Sequence, residues 1–144
     1  MLACREVKVM TLSEAVALVP DGASIGTGGI LMTRKPVALL DAIARTRTGL
    51  TLWTLLGSVD AELLAVRGAL ARSNTIYVGF EQLGFAPAYG QAVAAGTVEA
   101  RDYSELLMLA GLRASLAGLP FLPTRGAQGS DVARALAIKT VACP

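Results

Sequence analysis

Apolar residues along the chain follow two spacings, one typical of helices and one of short strands. A capping box, Thr11 with Glu14 three residues later, precedes apolar positions at helical spacing and predicts a short helix ending near Pro20. The segment "ASIGT" (23–27) is a short apolar run that predicts a buried strand, and it leads into a cluster of glycines. A strand therefore runs directly into a glycine-rich loop.

The next segments repeat this unit of strand, loop and helix. Pro36 suits the first position of a helix that ends near Arg47. The run "LTLWTLL" (50–56) predicts a second strand, and a helix over residues 61–71 follows with Asp60 as its N-cap. The chain is thus built from repeated strand–helix units.

The rest of the chain continues the alternation. The predicted elements are a strand "TIYVGF" (75–80), a helix from Pro87 to near Gly96, a strand "TVEAR" (97–101), a helix over 105–117 capped by Ser104, and a final strand "IKTVA" (138–142). Strands that alternate with helices are joined by crossovers and form parallel sheets. We therefore predict an α/β fold, an open and mostly parallel sheet with helices on its faces, in a single domain over residues 1–144.

Composition limits the kind of protein. With 144 residues, 53% of them hydrophobic, the chain can bury one substantial core. No apolar run reaches the roughly 18 residues of a membrane span, and charged residues stand where a signal peptide needs its apolar centre, so we expect a cytoplasmic protein without a membrane partner. A net charge of +2, from scattered Lys and Arg, does not indicate a nucleic-acid partner.

The reactive side chains exclude several mechanisms. The sequence contains no histidine, so neither a Ser-His-Asp nor a Cys-His nucleophile is available. Cys4 and Cys143 lie near opposite ends without a CxxC motif, so no metal site is expected. Acid–base or covalent chemistry must therefore use carboxylates.

The fold class predicts where a ligand binds. In an open parallel sheet, ligands bind beyond the carboxyl ends of the strands. We expect the loops at that edge to lie near one another: residues 26–35, 57–60, 79–86 and 102–104.

The segment "SIGTGGILMTRKP" (24–36) is the strongest local signal in this set. Its glycines do not match GxGxxG, because Leu31 stands at the sixth position, and the next strand lacks an acidic ribose ligand. A phosphate-binding GxxxxGK[ST] is also absent. Two interpretations remain: a tight turn that needs glycine, or a backbone that a ligand approaches closely.

The larger pattern resembles a known family. Asp21-Gly22, Ile25, Gly28-Gly29 and Pro36 resemble the first signature of the family I coenzyme A transferases. The blocks "YVGFEQLGFAPAYGQAVAAGTVEARDYSE" (77–105) and "GLRASLAGLPFLPTRGAQGSDV" (111–132) are similar to A subunits of the glutaconate CoA-transferase type. The resemblance begins near residue 11 and corresponds to the amino-terminal half of such a subunit, which implies a CoA transferase-like domain incomplete at its carboxyl end.

The resemblance implies a mechanism and partners. Such an enzyme moves CoA between an acyl-CoA and a small carboxylic acid, with the CoA thioester as substrate and no permanently bound cofactor. A B-type partner subunit supplies the glutamate nucleophile, which suits a histidine-free chain. The backbone N–H groups of Gly28 and Gly29 would donate to the oxyanion that develops on the thioester carbonyl.

Four side chains are substrate-binding candidates. Arg34 and Lys35 can bind a carboxylate or a CoA phosphate, or can form a solvated basic pair before a helix. Glu81, at the predicted active edge, can orient substrate or simply be solvated. Arg125, in the loop "PTRGAQGSD" (123–131), can lie near the substrate or the partner.

Glu105 leads to an alternative function. The segments "RKP", "VEARDYSE" and "PFLPTRG" resemble a hydrolase branch of the family that opens rings of CoA-thioester intermediates in steroid breakdown. In that branch a carboxylate matching Glu105 is the base that activates water, although a glutamate at a helix start also interacts favourably with the helix dipole. A third alternative is a non-catalytic remnant.

Overall fold

The computed structural model describes residues 9–142, so Cys4 and Cys143 lie outside the described residues. A parallel sheet and its helices form the body of the chain. The helices are α1 (Leu12–Ala17), α2 (Val37–Ala44), α3 (Val59–Val66), α4 (Pro87–Ala94), α5 (Glu105–Leu116) and α6 (Asp131–Ala135). The strands are β1 (Ser24–Gly26), β2 (Leu50–Trp53), β3 (Leu56–Gly57), β4 (Leu70–Thr75), β5 (Tyr77–Val78) and β6 (Glu99–Asp102).

The main sheet has four parallel strands in the order β1-β2-β4-β6. The short strands β3 and β5 form a second parallel pair beyond the carboxyl ends of β2 and β4. The predicted α/β class, the parallel pairing and the flanking helices are confirmed. The crossover geometry therefore brings the carboxyl ends of all four main strands to one edge.

One face of the sheet packs against helices. Leu50 and Leu52 of β2 are fully buried, and they share the hydrophobic core with Ile43 of α2 and Leu64 of α3. Helix α4 is tied to the same face, because the Tyr89 hydroxyl lies 2.7 Å from the hydroxyl of a β4 serine. The packing of α2, α3 and α4 on this face determines where each helix begins relative to the edge of the sheet.

The opposite face is polar and aromatic. Trp53 Nε1 donates to Ser24 Oγ at 3.0 Å, and its ring lies 5.8 Å from that of Tyr103. Further along this face, Glu99 of β6 accepts from Arg72 and Arg101 at 2.7 Å each. This second face is thus lined by partly exposed charged and aromatic side chains.

The local signals for helix starts were mostly correct. The capping box at Thr11 is present, Ser104 caps α5 through its bond from Leu107 N, and Pro87 begins α4. Helix α2 begins one residue after Pro36 and ends at Ala44, a turn earlier than predicted.

The helix of the second unit differs from the prediction. Asp60 is not the N-cap of α3, because the helix begins at Val59 and Ser58 holds the cap position. The helix also ends at Val66 and not near residue 71, since Gly68 adopts a left-handed φ of 65°. The chain is therefore released into β4 earlier than the apolar spacing indicated.

The predicted third strand, residues 75–80, lies too far along the chain, because the observed strand is β4 (Leu70–Thr75). Most of "TIYVGF" lies outside the main sheet, and the central strand β4 is the more polar "LARSNT". Its buried Ser73, Asn74 and Thr75 hide the strand from an apolar pattern. Ser73 and Thr75 are accommodated because their hydroxyls find hydrogen-bond partners in neighbouring segments.

The predicted final strand over residues 138–142 is wrong. That segment forms no strand, and Ile138 and Val141 are 40% and 61% exposed. Its β-favouring residues have no neighbouring strand to pair with in the described part of the chain. The preceding helix α6, capped by Ser130, was not predicted.

Candidate functional site

The glycine loop, residues 27–35, connects β1 to α2 at the carboxyl edge of the sheet. It begins with a hydrogen bond from Thr27 N to Trp53 O (2.9 Å) and contains a small hairpin in which Ile30 and Thr33 exchange backbone bonds of 3.1 and 2.8 Å. Leu31 and Arg34 have positive φ angles of 47° and 60°, which non-glycine residues rarely adopt. The loop is thus folded back on itself.

The two glycines of this loop have different environments. Gly29 has a φ of +86°, and a Cβ there would lie 2.5 Å from Thr33 O. Gly28 is exposed, and a Cβ there would meet nothing within 4 Å. Within residues 9–142, neither N–H donates a hydrogen bond, so two backbone donors are available to a ligand. The tight turn explains Gly29 but not Gly28.

An open cleft of about 570 Å³ adjoins the loop and is lined by Gly29, Ile30, Thr33 and Arg34. The cleft is therefore lined by one of the two glycines with a free N–H and by the candidate arginine of the loop. A guanidinium next to backbone donors is suited to an anionic or carbonyl-bearing ligand.

Lys35 is placed quite differently from Arg34. Its side chain is completely buried, and Nζ donates to Asp60 Oδ2 at 2.8 Å and to Thr54 Oγ1 at 2.9 Å. The ammonium is therefore enclosed by protein groups and is neither solvated nor aimed into the cleft.

Asp60 collects hydrogen bonds on both carboxylate oxygens. Oδ2 also accepts from Thr27 Oγ1 at 2.6 Å, and Oδ1 accepts from Ser58 N at 2.7 Å. Burial raises the pKa of Asp60, but the bonds from Lys35, the Ser58 N–H and Thr27 together outweigh burial and hold that pKa below its ordinary value. Asp60 is consequently an ionised carboxylate at neutral pH.

Three of the four loops predicted to meet at this edge are joined by hydrogen bonds, and the fourth is held at the end of β4. The Ser58 hydroxyl donates to the carbonyl of Leu31, which joins the second loop to the glycine loop. Gly79 N donates to Gly57 O at 3.0 Å and joins the third loop to the second. Tyr103, after β6, is held by the 2.8 Å bond from its N to Thr75 O.

The other candidate residues lie on separate segments. Glu81 begins a 3₁₀ turn, Glu81–Leu83, and is exposed with a φ of 54°. Glu105 is the exposed first residue of α5, three residues after the end of β6. Arg125 is exposed and donates to Gln128 Oε1 at 3.3 Å. Among residues 9–142, no hydrogen bond or ion pair links these three side chains to the glycine loop.

Sequence reasoning missed the group that holds the loop, namely Thr27, Thr54, Ser58 and Asp60. Lys35 and Asp60 stand at equivalent junctions of two consecutive strand–helix units. Adjacent parallel strands place such junctions side by side, so this equivalence was the available signal. The apolar pattern could not indicate that both side chains point inward.

No cluster of residues suited to holding a metal ion occurs among residues 9–142. The helices in that range are all too short or too polar to cross a bilayer.

The parallel sheet, with its loops gathered at the carboxyl edge, defines an α/β fold of the class in which that edge is the usual place for a ligand. The sequence model of the family "Coenzyme A transferase" matches residues 9–137, so the chain belongs to the coenzyme A transferase family.

Two proteins similar in sequence carry different activities in their names. The cholesterol ring-cleaving hydrolase IpdA subunit of Rhodococcus jostii is 39% identical over 132 residues, 88% of this chain and 43% of that protein. The A subunit of glutaconate CoA-transferase from Acidaminococcus fermentans is 33% identical over 130 residues, 87% of this chain and 40% of that protein. The crystal structure of that transferase superposes with a TM-score of 0.81 and covers 88% of this chain and 41% of the compared one.

A variant of the decarboxylase AibA/AibB superposes with a TM-score of 0.88 at 34% identity, covering 94% of this chain and 53% of the compared one. The chain spans about half the length of the curated relatives it matches. The family and the fold are therefore established for this chain, and the fold is compatible with more than one reaction.

Proposed function

We propose that this chain is part of the A-type subunit of a CoA-thioester hydrolase that cleaves a ring, as in cholesterol breakdown. The observation that carries the proposal is the 39% identity to the ring-cleaving hydrolase subunit, against 33% to the glutaconate CoA-transferase subunit, over similar shares of this chain. This favours the hydrolase alternative over the transferase that the motifs first indicated.

Glu105 is the proposed general base. It is exposed, begins a helix next to the carboxyl edge of β6, and has no hydrogen-bonding partner for its side chain among residues 9–142. A cleft of about 610 Å³ runs along the adjacent segment and includes Asp102 and Tyr103 in its lining. A free carboxylate beside such a cleft can accept a proton from a bound water.

The proposed reaction adds one water across a ring carbon–carbon bond. Glu105 accepts a proton from water while the water oxygen bonds to a ring carbonyl carbon. The N–H groups of Gly28 and Gly29 donate to the oxyanion that forms, and each such donor typically contributes about 3 kcal/mol. When the ring bond breaks, the proton on Glu105 passes to the departing carbon, and the carbonyl end of the opened ring becomes a carboxylic acid that releases its proton to solvent.

Arg34, Glu81 and Arg125 are the proposed substrate-binding side chains. Arg34 lines the cleft at the glycine loop, and its guanidinium is suited to a CoA phosphate or a substrate carboxylate. Glu81 and Arg125 are exposed and would contribute once substrate or partner covers their segments.

A B-type partner subunit completes the proposed enzyme. Relatives of this chain are named as subunits. Large apolar side chains are exposed on the loops of the carboxyl edge, with Ile30 57%, Leu83 78% and Phe85 83% exposed. Exposed apolar groups of this size are typical of surfaces that another protein covers.

CoA transfer is the second candidate, and the 33% identity to a glutaconate CoA-transferase subunit supports it. In that reaction a glutamate of the partner attacks the thioester, and the same glycine N–H groups stabilise the oxyanion. The two candidates differ in which subunit carries the reacting carboxylate.

The test is a comparison of Glu105→Gln with Asp41→Asn in the complex of this chain and its partner subunit. With a panel of CoA thioesters that carry a ring ketone, we expect a product heavier by one water, formed about 10²–10⁴-fold more slowly by Glu105→Gln. Asp41→Asn, on α2 and outside the proposed site, is the control for loss of one carboxylate and retains most of the rate.

Intact-mass spectrometry of the same reactions separates the alternatives. A covalent CoA adduct on the partner, formed equally well by Glu105→Gln, would replace the hydrolase proposal by transfer. The absence of both products with the wild-type complex would leave a non-catalytic remnant.

A further inference from the structure

The glycine loop cannot hold its shape by itself. It has positive φ angles at Gly29 and at two non-glycine residues, Leu31 and Arg34, and the hairpin inside it is a single bridge between Ile30 and Thr33. Backbone conformations of this kind persist only where the surroundings enforce them. The restraint must therefore come from outside the loop.

The segment from the end of β2 to the start of α3, residues 54–60, supplies that restraint at three points. Asp60 Oδ2 accepts from Thr27 (2.6 Å), just before the glycines, and from Lys35 (2.8 Å), at the loop's far end. Between them, the Ser58 hydroxyl donates to the carbonyl of Leu31. Asp60 also orients Ser58, because Asp60 Oδ1 accepts from Ser58 N at 2.7 Å.

The chemistry of the restraint is informative. Lys35 and Asp60 have fully buried side chains, and a buried ion pair generally stabilises a fold no better than an apolar pair of similar volume. A buried carboxylate that accepts several hydrogen bonds instead defines the relative position of the groups that donate. Here those groups include the two ends of the glycine loop.

We infer that Asp60 and Lys35 are positioning residues, which hold the glycine loop so that the N–H groups of Gly28 and Gly29 face the reacting carbonyl. The consequence for catalysis depends on the function proposed above, whereas the anchoring of the loop does not. Neither residue needs to touch substrate.

The anchoring is tested on the full chain alone by amide hydrogen exchange. The variants are Lys35→Met, Asp60→Asn and the double variant, and the control is Asp41→Asn, which removes a partly exposed, ion-paired carboxylate from α2. The amides of Ile30 and Thr33 report on the loop, and that of Leu52 reports on global unfolding.

We expect the double variant to melt close to the wild type, since it leaves no unpaired buried charge, while either single variant melts at a lower temperature. In the double variant, exchange at Ile30 and Thr33 should rise at least about ten-fold relative to Leu52. Asp41→Asn should leave that ratio unchanged. An unchanged ratio in the double variant would overturn the inference even if the single variants fail to fold.

Kinetics in the complex test the catalytic consequence. For a misplaced oxyanion loop we expect the double variant to lose about ten-fold or more in kcat with a smaller change in KM. Recovery of full kcat along with stability would show that the pair is merely structural. The wild-type complex could show neither hydrolysis nor CoA transfer while the exchange result holds. In that case the proposed function fails and the anchoring of the loop stands.

Discussion

At the scale of single residues, the two glycines of the loop have separate reasons to be glycine. Gly29 is needed by the turn, because its φ is +86° and a Cβ would contact Thr33 O at 2.5 Å. Gly28 has no left-handed φ and no neighbour within reach of a Cβ. Its lack of a side chain therefore matters only to something that approaches from outside.

This difference predicts that the same change, Gly to Ala, affects stability at one position and turnover at the other. Gly29→Ala should lower the free energy of unfolding by about 1–2 kcal/mol, because it combines a strained φ with a backbone clash. Gly28→Ala should change it by less than about 0.5 kcal/mol but should slow turnover in the complex. Urea unfolding followed by the fluorescence of Trp53 measures the first effect. Equal destabilisation by both would contradict this assignment.

At the scale of elements, a side chain of helix α3 forms hydrogen bonds with the first turn of helix α4 and so joins two strand–helix units. Helix α4 has no side-chain cap of its own, since Ala86 stands at its N-cap. Glu62 of α3 replaces that cap from the neighbouring helix and accepts from Ala88 N and Tyr89 N at 2.9 Å each. The helix start is thereby tied to the layer that also carries Asp60.

Removing this cap should weaken α4 in particular. We expect Glu62→Ala to lower the free energy of unfolding by about 1–2 kcal/mol, since two backbone donors lose a charged acceptor near a helix dipole. Gln91→Ala, on the exposed side of the same helix, is the matched control. Denaturant titration compares the two, and a cost no larger than that of Gln91→Ala would argue against the capping role.

At the scale of the whole molecule, carboxylates link the stability of the fold to pH. Hydrogen bonds from Arg or backbone partners lower the pKa of three carboxyls at the surface, Glu14, Asp41 and Glu99, and Asp60 has a lowered pKa despite its burial. A group whose pKa is lower in the folded state stabilises the fold above its unfolded pKa. That stabilisation is lost as the pH falls through the folded pKa.

The contribution of Asp60 should appear as a difference between two pH profiles. An unfolded Asp titrates near pH 3.9, so we expect the wild type to lose stability below about pH 5, and more steeply than the Lys35→Met/Asp60→Asn variant. The exposed carboxylates are common to both proteins and cancel in the comparison. Parallel profiles would show that folding does not lower the pKa of Asp60.

Much of this architecture was predictable from local signals. Capping residues at Thr11 and Ser104, the proline at the start of α4, and the apolar runs of β1 and β2 all act within a few residues, so they place elements without knowledge of the fold. The errors came where tertiary contacts overrode the pattern, as in the polar central strand β4, or where a β-favouring segment had no partner.

The sequence by itself determined the alternation of strands and helices, the edge at which the loops between them gather, and a chemistry without histidine. Only the tertiary structure decided that Lys35 points inward to Asp60, that Arg34 remains beside the cleft, and that Gly28 and Gly29 differ. The physical reason is that helix and strand signals arise from neighbours in sequence. The direction of a loop side chain depends on which distant group is packed beside it.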